Sequence, residues 1–115
     1  MARVPLLLGI DIGGTAVKVA LFDVGGRLRG AHSTPVPPHA PRPGWFDIDP
    51  ADWQHAVRDG VAAALAAAGA RGSDVAAIGL SNMIGTVTPL DAQGRPLRRA
   101  IPYYDTRSAA EAAWM

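Results

Sequence analysis

Short apolar blocks punctuated by glycine dominate the first third of the chain. Leu6, Leu7, Leu8 and Ile10 lead into Asp11 and a glycine pair, and Val17, Val19, Leu21 and Phe22 follow at once. Blocks of this length and composition predict strands at 5–12 and 16–23, with a third at 27–35 after a turn at Asp23–Arg27. Such short connections imply an antiparallel meander. Pro35, Pro37, Pro38, Pro41 and Pro43 then predict a stiff surface connector. Asp49-Pro50-Ala51-Asp52 reads as a helix start: Asp49 caps, Pro50 takes the first helical position and Asp52 complements the dipole. Trp53, Val57, Val61 and Leu65 recur every four residues and predict the core-facing stripe, with Gly69 and Gly72 as stops.

Val75 to Leu80 is apolar nearly throughout, the pattern of a fourth strand covered on both faces. A helix before it implies a crossover and parallel pairing. Residues 86–90 and 97–103 flank Asp91–Arg95 and predict a second hairpin. Its Asp-x-x-Gly-Arg turn repeats the pattern at Asp23–Arg27, each calling for glycine at positive φ. From Thr106 a helix begins, with Thr106 or Ser108 as its cap, and it runs to Trp114 and Met115. The class is α/β, in the order meander, helix, strand, hairpin, helix.

Composition narrows the functions. The 115 residues suit one domain with a modest core, and a net charge of +1 gives no electrostatic case for nucleic acid or an anionic membrane. With no cysteine, disulfides and thiolate metal sites drop out. Arg3 precedes a short apolar run that Asp11 interrupts too early for a signal peptide, and no segment approaches a membrane span. A cytoplasmic protein is expected. His32, His39 and His55 share no ligand spacing and read as surface residues. Trp45 and Trp53 are expected to pin the proline connector to the helix. The unclosed final helix suggests a piece of something longer.

The chemistry concentrates in Gly9-Ile10-Asp11-Ile12-Gly13-Gly14-Thr15-Ala16-Val17-Lys18. Here glycines open a strand, whereas Walker A and Rossmann loops open a helix. A strand–turn–strand of this kind suits a Mg-nucleotide phosphate. Asp11 offers a hard oxygen ligand to Mg²⁺ or its water shell. Gly13 and Gly14 allow a sharp bend and close approach, so turn amides can face an anion. Thr15 adds a hydroxyl and Lys18 a positive charge. Burial of the acid between two apolar strands is expected to demand a partner.

Together with Pro43-Gly44-Trp45-Phe46-Asp47-Ile48-Asp49-Pro50-Ala51-Asp52-Trp53, Ala77-Ile78-Gly79-Leu80-Ser81-Asn82-Met83, Pro89-Leu90-Asp91, and Gly94-Arg95-Pro96-Leu97-Arg98-Arg99-Ala100-Ile101 leading to Tyr104-Asp105-Thr106-Arg107, this segment resembles the N-terminal part of the FGGY carbohydrate kinases. The resemblance spans essentially the whole chain, residues 1–115. It implies a ribonuclease H-like (actin-like ATPase) domain, one of two flanking a cleft, and transfer of the γ-phosphoryl of ATP to a sugar or polyol hydroxyl. Asp11 would hold Mg²⁺ and orient the phosphates, and Gly13, Gly14, Thr15, Ala16 and Lys18 would contact them. The general base and the adenine pocket would lie beyond Met115, so the isolated chain is expected to be inactive. A homodimer of the longer form is compatible with the resemblance.

Two departures bear on the resemblance. Gly14 stands where many members carry Thr or Ser, which resembles the ROK-type sugar kinases. The tryptophan segment and the Asp-Thr-Arg run speak against that group. Asn82-Met83-Ile84-Gly85-Thr86 lacks both the Met-His pair of xylulokinase-like members and the Arg-Glu pair of glycerol kinases. Asn82, Met83, Gly85 and Thr86 are therefore the candidate substrate positions, in a kinase of pentulose or xylulose type. Met83 and Ile84 equally suit core packing. Asp105 and Arg107 either face the sugar or form an ion pair that fixes the following helix. A catalytically incompetent actin-like module is the non-enzymatic alternative.

Overall fold

The computed structural model describes residues 4–115, so Arg3 lies outside the described residues. Strands β1 (Leu6–Ile12), β2 (Ala16–Asp23) and β3 (Leu28–Pro35) form the antiparallel meander. Strand β4 (His39–Arg42) and strand β5 (Trp45–Asp47) form a separate two-stranded ribbon. Helix α1 (Pro50–Ala68) crosses over to β6 (Val75–Asn82), and a short helix α2 (Ala109–Trp114) follows the last loop. The main sheet runs β3-β2-β1-β6, with β6 parallel to β1 as the crossover implied. Among the described residues, no helix is long and apolar enough to cross a membrane.

Alternation decides which face of the sheet is covered. Leu6, Leu8 and Ile10 of β1 and Val17, Val19 and Leu21 of β2 are buried, while Leu7, Asp11 and Lys18 point to the exposed face. Helix α1 lies on the apolar side, mainly over β2 and β3. Its start is as expected: the Asp49 carboxylate accepts the Ala51 N–H at 2.9 Å, and Gly69 ends it in the left-handed conformation.

The stripe nearest the sheet is Ala56, Gly60 and Ala64, with Trp53, Val57, Val61 and Leu65 only partly buried beside it. Helix and sheet approach too closely for larger residues on that line. A Cβ on Gly60 would sit 2.7 Å from Val19 Cγ2, and one on Gly30 would strike the Ala64 carbonyl. The four-residue recurrence of large side chains therefore marks the flank of the contact.

Strand β6 corrects a second expectation. Ile78 and Leu80 sit in register with buried Leu8 and Ile10, yet they are 61% and 73% exposed. Helix α1 does not reach that edge of the sheet, so β6 is bare where its composition implied cover on both faces.

The proline connector holds a ribbon that composition concealed. Gly44, at φ 76°, turns β4 into β5. Two strands beside no third partner tolerate proline, because few ladder donors are required of them. The predicted hairpin at 86–103 is reduced to isolated bridges, Val87 with Ile101 and Leu90 with Pro96. Pro89, Pro96 and Pro102 remove donors a continuous ladder would need. Ile48 and Ala100, both fully buried, exchange backbone hydrogen bonds of 3.0 and 2.8 Å and tie this segment to the core.

Candidate active site

Parallel pairing of β1 with β6 brings two distant pieces of sequence together. Ile12 is in register with Asn82, and the Met83 N–H donates to the Ile12 carbonyl at 3.0 Å. The glycine turn and the 82–85 segment thus leave the sheet side by side. Between them opens a cleft of about 910 Å³ lined by Asp11, Gly13, Gly14, Thr15, Asn82, Met83 and Gly85, with Tyr103 and Tyr104 closing one wall.

The turn is built for space. The Gly13 N–H donates to the Ala16 carbonyl at 3.0 Å, and a Cβ on Gly13 would lie 2.9 Å from that same oxygen. A Cβ on Gly14 would lie 3.0 Å from Met83 Sδ and 3.3 Å from Tyr104 Cε1. Neither glycine has positive φ. What the turn requires is therefore the absence of a side chain, with backbone freedom secondary. The Thr15 carbonyl accepts from Val36 at 2.8 Å, which anchors the turn from behind and leaves the exposed Thr15 side chain to the cleft.

Asp11 is exposed, against the expectation that it would be buried between strands. Lys18 and Ser81 are its register neighbours on β2 and β6, which puts the three in one row on the open face of the sheet. Gly9, Ala20 and Gly79 form the next row and leave a shallow groove of about 410 Å³ below Asp11 and Lys18. Asp11 borders both groove and cleft. Among the described residues it makes no ion pair, although Lys18 stands directly opposite. An uncommitted carboxylate at the mouth of a side-chain-free turn, beside a lysine, fits a hydrated divalent cation carrying phosphate.

Asp105 and Arg107 sit outside the cleft lining, in a cluster of their own. Asp105 accepts the Phe46 N–H at 2.6 Å and three N–H groups of Arg107 at 2.8, 2.8 and 2.9 Å. Arg107 also donates to the Phe46 carbonyl and the Asp47 carboxylate, and its guanidinium lies 4.6 Å over the Trp45 ring. The hydrogen bonds from Arg107 hold the Asp105 carboxyl well below the usual carboxylate range, and Asp105 raises Arg107 in return. The arrangement matches the ion-pair reading of these residues. Trp45 is held by Arg42 and Arg107, whose guanidinium groups lie 4.8 and 4.6 Å from its ring centroid. Thr106 donates to the Gly44 carbonyl and Ser108 makes no side-chain cap, so neither hydroxyl starts α2 as expected.

Thr86 faces a second cavity of about 330 Å³ with Trp53, Gln54, Asn82 and Met83. Its hydroxyl and the Trp53 indole nitrogen are both buried there without a protein partner. Among the described residues no cluster of His, Cys, Asp or Glu could hold a metal ion by side chains alone. The sequence assigns Tyr103 and Tyr104 no site role, although Tyr104 opens the Tyr104-Asp105-Thr106-Arg107 run. Only their place directly before Asp105 could have pointed to them.

Comparison with known proteins gives the family and the fold. Residues 6–115 match the family model described as the FGGY family of carbohydrate kinases, N-terminal domain. A glycerol kinase of Rhodospirillum centenum is 36% identical over 114 residues, covering 98% of this chain and 23% of that protein. The chain thus spans about a quarter of the length of such relatives. Among solved structures, a xyloylose (xylulose) kinase from Brucella ovis is 39% identical with a TM-score of 0.89, covering 95% of this chain and 23% of the other. The xylulose kinase from Rhodospirillum rubrum is 31% identical with a TM-score of 0.87, covering 95% of this chain and 22% of the other. These neighbours are sugar kinases, and the fold shared with them is the actin-like ATPase fold.

Proposed function

From the premise that the chain belongs to the FGGY family of carbohydrate kinases, we propose that it forms part of a kinase moving the γ-phosphoryl of ATP to a sugar or polyol hydroxyl. The observation that carries this is the meeting of the bare Asp11, the glycine turn and the 82–85 segment in one cleft. Bound Mg²⁺ would neutralise charge on the β- and γ-phosphates, and Asp11 is the residue placed to hold it or its water shell. The backbone of Gly13, Gly14, Thr15 and Ala16 receives the phosphates at close range. The Thr15 hydroxyl and Lys18 supply a donor and a positive charge beside Asp11, both on its β2 side.

The acceptor wall is Asn82, Met83 and Gly85, with Thr86 behind it. Gly85 and exposed Ile84 bring no charge to this wall, so recognition there depends on backbone groups, the Asn82 amide and aromatic faces. We extend the proposal to a pentulose-type acceptor. It is supported by 39% and 31% identity to the solved xylulose kinases, and opposed by the similarity to glycerol kinases. Asp105 and Arg107 serve by fixing the segment that carries Tyr103 and Tyr104. A cytoplasmic site of action is part of the proposal, and ATP as donor is compatible with it.

The test is ADP release by the protein expressed from its full reading frame, over a panel of ketopentoses, hexonates and polyols. We expect acceptor-dependent release that Asp11→Ala lowers by about a hundredfold or more while the fold survives. Full turnover in that variant would remove Asp11 from the phosphate site. A preference for glycerol over every ketopentose would overturn the pentulose assignment alone.

A further inference from the structure

Tyr104 stands where the phosphate side and the acceptor side of the cleft meet. Its ring is packed edge-on by Phe46, with centroids 5.1 Å apart, and by Tyr103 at 5.3 Å. Phe46 is itself fixed, because its N–H is held by the saturated Asp105 carboxylate. The ring therefore has a rigid back. At its front it takes up the space beside Gly14, and its hydroxyl donates to the Gly14 carbonyl at 3.4 Å. That is long for an O–H···O bond, so the hydroxyl applies a weak hold to an otherwise open turn.

A trans peptide makes that hold directional. The carbonyl of Gly14 and the N–H of Thr15 belong to one plane and point in opposite directions. Fixing the carbonyl toward Tyr104 thereby aims the Thr15 N–H away from the aromatic wall. We propose that Tyr104 is a positioning residue, orienting the Gly14–Thr15 peptide for nucleotide phosphate from the acceptor wall of the cleft. Burial, helped by neighbouring Tyr103, raises the Tyr104 phenol above its ordinary range, so the proton needed for donation stays in place.

This rests on the reading of the glycine turn as a phosphate site, and the experiment separates the two. In the protein from its full reading frame, Tyr104→Phe keeps the ring and removes only the hydroxyl. We expect KM for ATP, and the Kd for Mg-ADP by calorimetry, to rise about threefold, the scale of one weak neutral hydrogen bond. KM for the acceptor and the melting temperature should hold at wild-type values. Gly14→Ala forces the ring and the Met83 thioether apart, so its effect should be non-additive with Tyr104→Phe in the double variant. Wild-type Mg-ADP affinity in Tyr104→Phe would overturn the role of Tyr104 and leave the phosphate site standing. Equal losses toward ATP and acceptor would also overturn it, as would simple additivity with Gly14→Ala. A folded wild-type protein that binds no Mg-ADP would overturn the phosphate site, and this proposal with it.

Discussion

Asp11 lines the cleft and Asp105 stands just outside it beside Tyr104, and the two aspartates are used in opposite ways. Asp11 is exposed, faces a lysine across the sheet and pairs with nothing among the described residues. The Asp105 side chain is 2% exposed and accepts four hydrogen bonds, three of them from Arg107. A carboxylate whose acceptor sites are filled by its own chain has nothing left for a ligand. A bare one contributes little to folding and leaves its oxygens free, as the proposed cation site requires. Motif membership alone puts the two in the same list, and only their partners separate them.

The contrast breaks most visibly in a stability measurement. Asp105→Ala leaves Arg107 without its main counter-charge beside Asp47 and Trp45. Urea unfolding should show a loss of about 2 kcal/mol, the scale of hydrogen bonds to a charged group lost from a half-buried pair. Asp11→Ala should stay within about 0.5 kcal/mol, as a surface change does, while abolishing Mg-nucleotide binding. Equal stability losses in the two variants would erase the distinction.

Acid titration sharpens it. The folded-state pKa of Asp105 is depressed, chiefly by Arg107. Its stabilisation is therefore fully present above the unfolded carboxylate pKa of about 3.9 and is lost as pH falls below that toward the folded value. Asp105→Asn should flatten the acid limb of the stability profile below about pH 4. Next in size is Trp45→Leu, which removes two guanidinium–ring contacts and should cost about 1 kcal/mol in urea unfolding.

The smallest effects belong to a third use of aspartate. Asp23 and Asp91 each accept two backbone N–H groups of their own turn, at 3.0 Å in the first and 2.9 Å in the second. Each turn closes on a glycine, Gly26 at φ 80° and Gly94 at φ 76°. Alanine at either aspartate should lower the melting temperature slightly and by similar amounts, well short of the drop at Asp105. Unequal drops would show that the shared pattern hides different surroundings.

Those twin turns were legible in the sequence because everything they need lies within five residues. The same holds for the α1 start, where Asp49 and Pro50 act locally, and for the glycine turn, whose bounding strands follow from apolar runs. What escaped depends on distance in space. The Asp105–Arg107 cluster closes on Phe46 and Asp47, about sixty residues away, and no spacing rule announces it. The buried line of α1 follows from the closeness of Val19 and Ala64 to glycines, which large-residue periodicity cannot register. Tyr104 escaped for the same reason, since its partner Gly14 lies 90 residues earlier.

The pairing of β1 with β6 also sets which lengths of chain can vary over evolutionary time. Asn82 reaches the cleft only because it stands level with Ile12, and a slip of one residue would turn every β6 side chain to the opposite face. Insertions and deletions inside the paired run should thus be purged. The irregularity where Leu6 pairs with Val75 and Leu7 with Ala77 shows where one extra residue is already absorbed, at the end of the strand farthest from the cleft. Length drift among descendants of this sequence should collect there and in the preceding loop, leaving the stretch from Ala77 to Asn82 constant in count even where its residues change.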